Sequence, residues 1–267
     1  TKPFVSETET SGEPEYFVFR DCLSDKFYTA IYQAPDKLTL SETRSAAMLN
    51  NFLKQHGKEK PDFIPDYELR FEFGNDVLVD HTARFVNKFV PTPYLRAESG
   101  LAQFAEWPVI KRLIHSFAGN EESFTRFLNW LAYIIQFRRR PHTAWVFYGV
   151  EGTGKGLFFS KVLVPVFGAR NCTETTLSAI DKFNKHFETS PLVLIDESET
   201  SRNDRDQGTI SRLKNLITDD CLSIRRMRQE AYMGVNNANL IIASNERHPI
   251  HVPLGDRRFN VGERQET

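Results

Sequence analysis

The sequence predicts an α/β protein built on a parallel sheet with helices on both faces. Three stretches carry that reading. Ala144–Tyr148 is a short apolar run that passes directly into the glycine-rich Gly149-Val150-Glu151-Gly152-Thr153-Gly154-Lys155-Gly156. Pro191–Ile195 is a second apolar run, ending in Asp196 and Glu197. Asn239–Ser244 is a third, followed by Asn245. Apolar runs without alternation are what strands covered on both faces require.

Taken in order, residues 1–15 are rich in Thr, Ser, Glu and Pro and read as a disordered leader or linker. Tyr16–Ile31 alternates apolar and polar residues, which predicts two strands around a turn at 21–26. Ser41 is read as the cap of a helix reaching Gln55, with Glu42 in its first turn. Residues 57–65 form a charged, proline-bearing break, and Tyr67–Val79 reads as a hairpin turning at Gly74-Asn75. Residues 16–105 thus make a small α+β accessory domain. It holds neither a carboxylate cluster nor a zinc pattern, so its expected duty is structural or linking, with accessory DNA contact second.

Residues 106–140 read as two helices, Trp107–Phe117 and Glu121–Phe137. In the second, Phe124, Phe127, Leu128, Leu131, Ile134 and Ile135 form one apolar face. Arg138-Arg139-Arg140 come next, either as cations at a helix C-terminus or as DNA contacts.

Residues 141–267 carry the chemistry. Glycines let a loop turn tightly so that its N–H groups face phosphate oxygens. The next helix, expected over Leu157–Val164, adds its positive end, and Lys155 adds a point charge for the β- and γ-phosphates. Residues 149–157 are therefore the candidate ATP-binding loop. Gly156 departs from the motif, which usually ends in a Ser or Thr hydroxyl that ligates Mg²⁺. Asp196 is expected to hold Mg²⁺ largely through water, and Glu197 to polarise the attacking water. Asn245 sits at a strand tip, where an amide either meets the γ-phosphate and lytic water or caps a turn. Arg257 and Arg258 lie past the last strand, either as an arginine finger reaching a neighbouring subunit or as a surface pair. Ile210–Ile217 has helical spacing. Leu222–Val235 reads as a hairpin with Arg225, Arg226 and Arg228 at its middle, either gripping a phosphate backbone or simply solvated.

This order of motifs resembles the superfamily-3 helicases of viruses, phages and plasmids, which are AAA+ type ring motors. The region from Leu213-Lys214-Asn215-Leu216 through Ser223-Ile224-Arg225-Arg226 to Ile242-Ala243-Ser244-Asn245 looks like that superfamily's stretch from hairpin to sensor asparagine. Phe127–Gln136, Gly152–Gly156, Asp256–Phe259 and Asn87–Pro91 are similar to phage and plasmid primase-helicases or primase-polymerases. The resemblance covers roughly 85–260 and implies a P-loop AAA+ type fold, with 106–140 as a helical collar that helps a ring assemble. It also implies ATP as substrate with Mg²⁺, single-stranded DNA as partner, and a homo-oligomeric, hexameric ring. A primase or polymerase domain is implied elsewhere in a longer chain. The hairpin tip falls near Arg228 and Gln229, and Lys214 falls where related helicases carry a basic interface residue.

Composition bounds these readings. The chain has 267 residues, 40% hydrophobic and 26% charged, with 22 Phe, which is ordinary for a globular protein apart from the Phe. A formal net charge of −1 excludes a uniformly basic nucleic-acid coat but allows a local basic channel. There is no membrane-length apolar run and no signal pattern, so a cytoplasmic place is expected, with no membrane partner. An initial Thr and a stop soon after the Arg-Phe segment make the chain read as a piece of a longer protein. Cys22, Cys172 and Cys221 are scattered, as reduced structural thiols are, and His248 and His251 lack the partners of a zinc site. Two other function classes share the phosphate loop. One is a P-loop kinase of small molecules, for which no acceptor pocket is visible in the sequence. The other is a non-catalytic nucleotide-binding oligomerisation module, which Gly156 keeps open.

Overall fold

The computed structural model describes residues 12–35, 37–96, 106–180, 184–196, 207–224, 231–246 and 255–266. The chain divides into two units, Thr1–Val90 and Pro91–Thr267.

In the first unit, β1 (Glu15–Asp21), β2 (Lys26–Gln33) and β3 (Lys37–Thr43) form an antiparallel meander. α1 (Ala46–Gln55), β4 (Asp66–Arg70), β5 (Val79–Asp80) and β6 (Phe85–Asn87) come after it. The sheet order is β3-β2-β1-β4-β6-β5, with β1/β4 and β4/β6 parallel and β5/β6 antiparallel. Strand alternation puts Phe19, Ala30, Leu38, Leu69 and Val86 in one buried cluster, and Val18 in another with Leu49 and Leu53 of α1. Buried Asp21 closes the β1–β2 turn by accepting from Leu23 N at 3.3 Å and from the Ser24 hydroxyl, and it also accepts from Leu69 N at 3.0 Å.

Two expectations are corrected here. Ser41 and Glu42 lie in β3, paired with Thr29 and Tyr28, and Glu42 meets Lys26 at 2.8 Å. The helix begins later, and its cap is Ser45, whose side chain accepts from Met48 N at 3.2 Å. The alternation of Leu38 and Leu40 extends the strand past the first capping residue. Nor is Tyr67–Val79 a hairpin, because β6 inserts between β4 and β5. Asn87, fully buried at the end of β6, accepts from Glu72 N and Phe89 N and donates to Glu72 O and Asn75 O. One side chain thus satisfies the loop that a hairpin would have paired.

The second unit opens with α2 (Pro93–Arg96), α3 (Pro108–Ala118) and α4 (Glu121–Phe137), and then enters β7 (Ala144–Tyr148). α5 (Lys155–Phe158) runs through a π turn at Phe159–Leu163 into α6 (Val164–Phe167). Pro165 supplies no N–H and crowds the carbonyl one turn back, and the widened turn, with Val164 N bonded to Phe159 O, absorbs that. β8 (Cys172–Thr175), α7 (His186–Thr189), β9 (Leu192–Asp196) and α8 (Gln207–Thr218) come next. β10 (Cys221–Ile224), β11 (Tyr232–Val235), β12 (Asn239–Ser244) and β13 (Phe259–Val261) complete the unit.

Five strands form one sheet in the order β13-β7-β12-β9-β8, and every pairing in it is parallel. Its two faces are both covered. Val146, Val193, Ile195, Leu240 and Ile242 pack with Leu213, Leu216 and Ile217 of α8. On the other face, Phe127 of α4 meets Trp145 and Phe147 at 5.1 and 5.2 Å between ring centroids, and Phe117 of α3 meets Phe147 at 5.1 Å.

The arginines after α4 are structural where they are buried. Arg138 ends the helix in the left-handed region, with φ 50°, and donates to Leu95 O. Arg140 has a side chain only 8% exposed. It donates to Leu216 O and Ile217 O at 2.7 Å, Asp219 O at 2.8 Å and Ala238 O at 3.1 Å. It therefore caps the C-terminus of α8 rather than that of its own helix. Burial lowers the pKa of its guanidinium, and Asp220 and Asp219 oppose the shift.

Candidate nucleotide site

Parallel strands end at one edge, so the residues just past each carboxyl end are gathered there. After β7 comes the glycine loop, β9 ends at Asp196, and β12 is followed by Asn245. They surround a cavity of about 360 Å³, lined by the loop from Glu151 to Leu157 together with Asp196, Ala243 and Asn245. In the fold β12 lies between β7 and β9, with Ser244 level with Tyr148 and Ala243 level with Asp196. Two strand spacings put β7 and β9 about 10 Å apart, which leaves room for a phosphate group between loop and acid.

Backbone geometry explains two of the glycines. A Cβ at Gly149 would stand 2.4 Å from the carbonyl oxygen of Gln265, so a side chain there would collide with backbone. Gly154 caps α5 at φ 91°, in the left-handed region, and a Cβ would reach Leu113 of α3 at 3.3 Å. Gly156 is different, because a Cβ there would meet nothing within 4 Å. The missing hydroxyl is thus not a steric necessity.

Lys155 folds onto its own loop. Its Nζ donates to Gly149 O at 3.1 Å, Val150 O at 3.0 Å and Thr153 Oγ1 at 3.1 Å. Burial lowers its pKa, while Asp196 and Glu151 oppose the shift. The loop's first residues are pinned from two sides. Gly149 N donates to Ser244 O at 3.2 Å, and Val150 N donates to Gln265 O at 3.0 Å. Thr153 Oγ1 stands 2.8 Å from Gln265 Oε1. Sequence reasoning missed Gln265. It lies more than a hundred residues from the loop and belongs to no motif, so only the fold brings it there.

Lys214, Arg257 and Arg258 are not among the residues that line the cavity. Asp256, its side chain 4% exposed, accepts from Arg258 Nε at 2.9 Å, Arg258 Nη2 at 3.1 Å and Lys214 Nζ at 2.8 Å. The Arg258 guanidinium, with help from Lys214, holds the Asp256 carboxyl well below the usual carboxylate range, and desolvation opposes the shift. Arg258 and Lys214 are thus engaged within the subunit, whereas Arg257 is exposed and has no ion pair among the described residues. β10 and β11 pair as expected, and their inner face is fixed by Tyr232 Oη to Glu188 at 2.7 Å and Asn184 Nδ2 to Ser223 O at 2.8 Å. Glu197, Arg225, Arg226, Arg228, Gln229, His248 and His251 lie outside the described residues.

Among the described residues, no group of three or more His, Cys, Asp or Glu stands close enough to hold a metal ion by itself. Asp196 is, among the described residues, the one carboxylate besides Glu151 that lines the cavity, so Mg²⁺ would depend on it, on phosphate oxygens and on water. Among the described residues, no helix is long and apolar enough to cross a membrane. Burial pushes the Cys172 thiol up to about 12, which disfavours its thiolate.

A family of unknown function (DUF5906) matches residues 147–258. The DNA primase-polymerase of Nitratiruptor phage NrS-1 is 33% identical over 181 residues, which are 67% of this chain and 24% of that protein. The apo structure of the NrS-1 C-terminal region (305–718) aligns with a TM-score of 0.74 at 28% identity, covering 91% of this chain and 57% of that one. An A-form apo structure of the same region gives 0.74 at 26% identity, covering 93% and 58%. The chain is related to a phage primase-polymerase, and it spans about a quarter of that protein's length.

Proposed function

We propose that the second unit is the ATPase module of a DNA helicase within a phage or plasmid replication protein. In this reading it has the AAA+ type arrangement, with α3 and α4 as the collar. ATP is hydrolysed at subunit interfaces of a ring, hexameric by resemblance, which moves on single-stranded DNA and opens duplex. A primase or polymerase part then belongs elsewhere in the full-length protein, as the name of the relative supports. The carrying observation is the cavity that joins the glycine loop, Asp196 and Asn245 at the carboxyl edge of an all-parallel sheet.

The chemistry rests on those positions. Loop N–H groups and the start of α5 would cradle the triphosphate. Lys155 would exchange its carbonyl partners for β- and γ-phosphate oxygens. Asp196 would hold Mg²⁺ through water, and Glu197 would polarise the attacking water. Asn245, just past β12 at the mouth of the cavity, would orient that water or the γ-phosphate. Arg257 is the better finger, because the planar fork of Arg258 is already committed to Asp256. The hairpin carrying Arg225, Arg226, Arg228 and Gln229 would grip the DNA backbone.

The test is ATP turnover with Mg²⁺, with and without single-stranded oligonucleotide. Stimulation by DNA is the expected result. Turnover only with a small phosphate acceptor would replace the motor with a kinase. Nucleotide binding with no turnover would favour the non-catalytic module that Gly156 leaves open.

A further inference from the structure

Gln265 is 5% exposed, and its polar groups are all committed. Its backbone N–H donates to Tyr148 O at 3.0 Å and its carbonyl accepts from Val150 N at 3.0 Å, so it brackets Gly149 in a parallel bridge. Its side-chain oxygen faces Thr153 Oγ1 at 2.8 Å, and its amide donates to Ser116 Oγ of α3 at 3.3 Å. Ser116 Oγ donates in turn to Leu113 O at 2.8 Å. On the loop side, Thr153 Oγ1 is 3.1 Å from Lys155 Nζ.

Chemistry sets the direction of this chain. An ammonium can only donate, so the Thr153 hydroxyl accepts from Lys155 and sends its single proton onward. The nearer acceptor is Gln265 Oε1 at 2.8 Å, against 3.1 Å for Val150 O. The Gln265 amide then donates to Ser116. Hydrogen bonds in such a directed chain polarise one another, and the cation at its head strengthens the first link. Leu113, the last acceptor, also lies close to the loop, since a Cβ built on Gly154 would stand 3.3 Å from its side chain.

We propose that Gln265 is a positioning residue of the nucleotide site. It acts through the Thr153 hydroxyl to hold the loop, and the Lys155 ammonium within it, in the shape that receives a triphosphate. This rests on the reading of the loop as a nucleotide site. A loop held in its binding geometry before the ligand arrives avoids an ordering cost at binding. Gln265 does not line the cavity, so loss of its side chain should reach the nucleotide through Thr153.

The experiment is a double-mutant cycle on the affinity for a fluorescent, non-hydrolysable ATP analogue with Mg²⁺. Thr153→Val and Gln265→Leu should each weaken binding about tenfold, as removal of a hydrogen bond to a charged network does. The double variant should bind no worse than the weaker single, because both cut the same link. Thr153→Ser, which keeps the hydroxyl, should recover most of the loss seen in Thr153→Val. Should Gln265→Leu fail to fold, Gln265→Met, which keeps the length of the side chain and loses the amide, takes its place in the cycle. Independent, multiplying losses in the double variant would overturn the proposal, and so would a Thr153→Ser protein no better than Thr153→Val. Parental affinity in both single variants would overturn it and leave the nucleotide reading standing. A parental protein that binds no analogue would overturn the nucleotide reading itself.

Discussion

The two sheets of this protein use polar residues in opposite ways. In the mixed six-stranded sheet, Asp21 and Asn87 are buried and spend their hydrogen bonds on neighbouring backbone, closing a turn and a loop. In the parallel five-stranded sheet, the groups after β7, β9 and β12 face a cavity instead. Mixed strand directions scatter strand ends over two edges, so each end must satisfy itself locally. Parallel directions collect the ends, and backbone N–H groups, a lysine, a carboxylate and an amide are left facing one space. Chemistry is expected where the ends meet.

The contrast breaks first at Lys155. On the proposed function, Lys155→Ala removes nucleotide-dependent turnover to below detection, because among the described residues no other cation lines the cavity. Its Nζ hydrogen bonds to Gly149, Val150 and Thr153 stay within the loop, so the thermal midpoint should remain near the parental value by calorimetry. A folded variant with parental turnover would remove the chemistry from this edge.

The next largest effect concerns the two arginines. Arg257→Ala should cost on the order of 10³ in ATPase rate through a neighbouring subunit's site. Mixing it with Lys155→Ala subunits should restore part of that rate. Arg258→Ala should instead destabilise, because it leaves the Asp256 carboxylate with Lys214 alone. Its loss should show in thermal denaturation. Trans rescue of Arg258→Ala but not of Arg257→Ala would reverse the assignment.

In the other sheet, Asn87→Ala should cost about 3 kcal/mol, the scale of leaving several buried backbone groups without partners. Below its midpoint, ATP turnover should be unchanged. Turnover lost while Asn87→Ala remains folded would mean that the two regions are not functionally separate.

The smallest effect is at Gly156. A Cβ there has open space, so Gly156→Ser should fold and should lower the half-saturating Mg²⁺ of the ATPase by roughly two- to threefold. An unchanged Mg²⁺ dependence would show that another oxygen already fills the place.

Much of the second sheet was legible because each strand is an apolar run and the loop's chemistry is local in sequence. Asp196, Asn245 and the hairpin strands could be read from those runs. The order of strands was not legible, because apolar runs do not say which neighbour each will pair with. The placement of β12 between loop and acid therefore came only from the fold. In the first sheet, both Ser41 and Ser45 can cap a helix, and pairing with β2 decided between them. Asn87 looks like any strand-end amide until the loop it satisfies is seen. Gln265 had no signal at all, since its role depends on a bridge to Gly149 formed across the length of the unit.

That same pairing has a consequence for biosynthesis. β7, which carries the glycine loop, takes its two neighbours from β12 and β13, about a hundred residues later in the chain. As the chain emerges from a ribosome, Trp145, Val146 and Phe147 have no sheet partner until those strands appear. Contacts so distant in sequence form slowly. The loop is made well before the two strands that flank β7, so on the proposed function it would become competent to receive nucleotide only once β12 and β13 have joined that sheet.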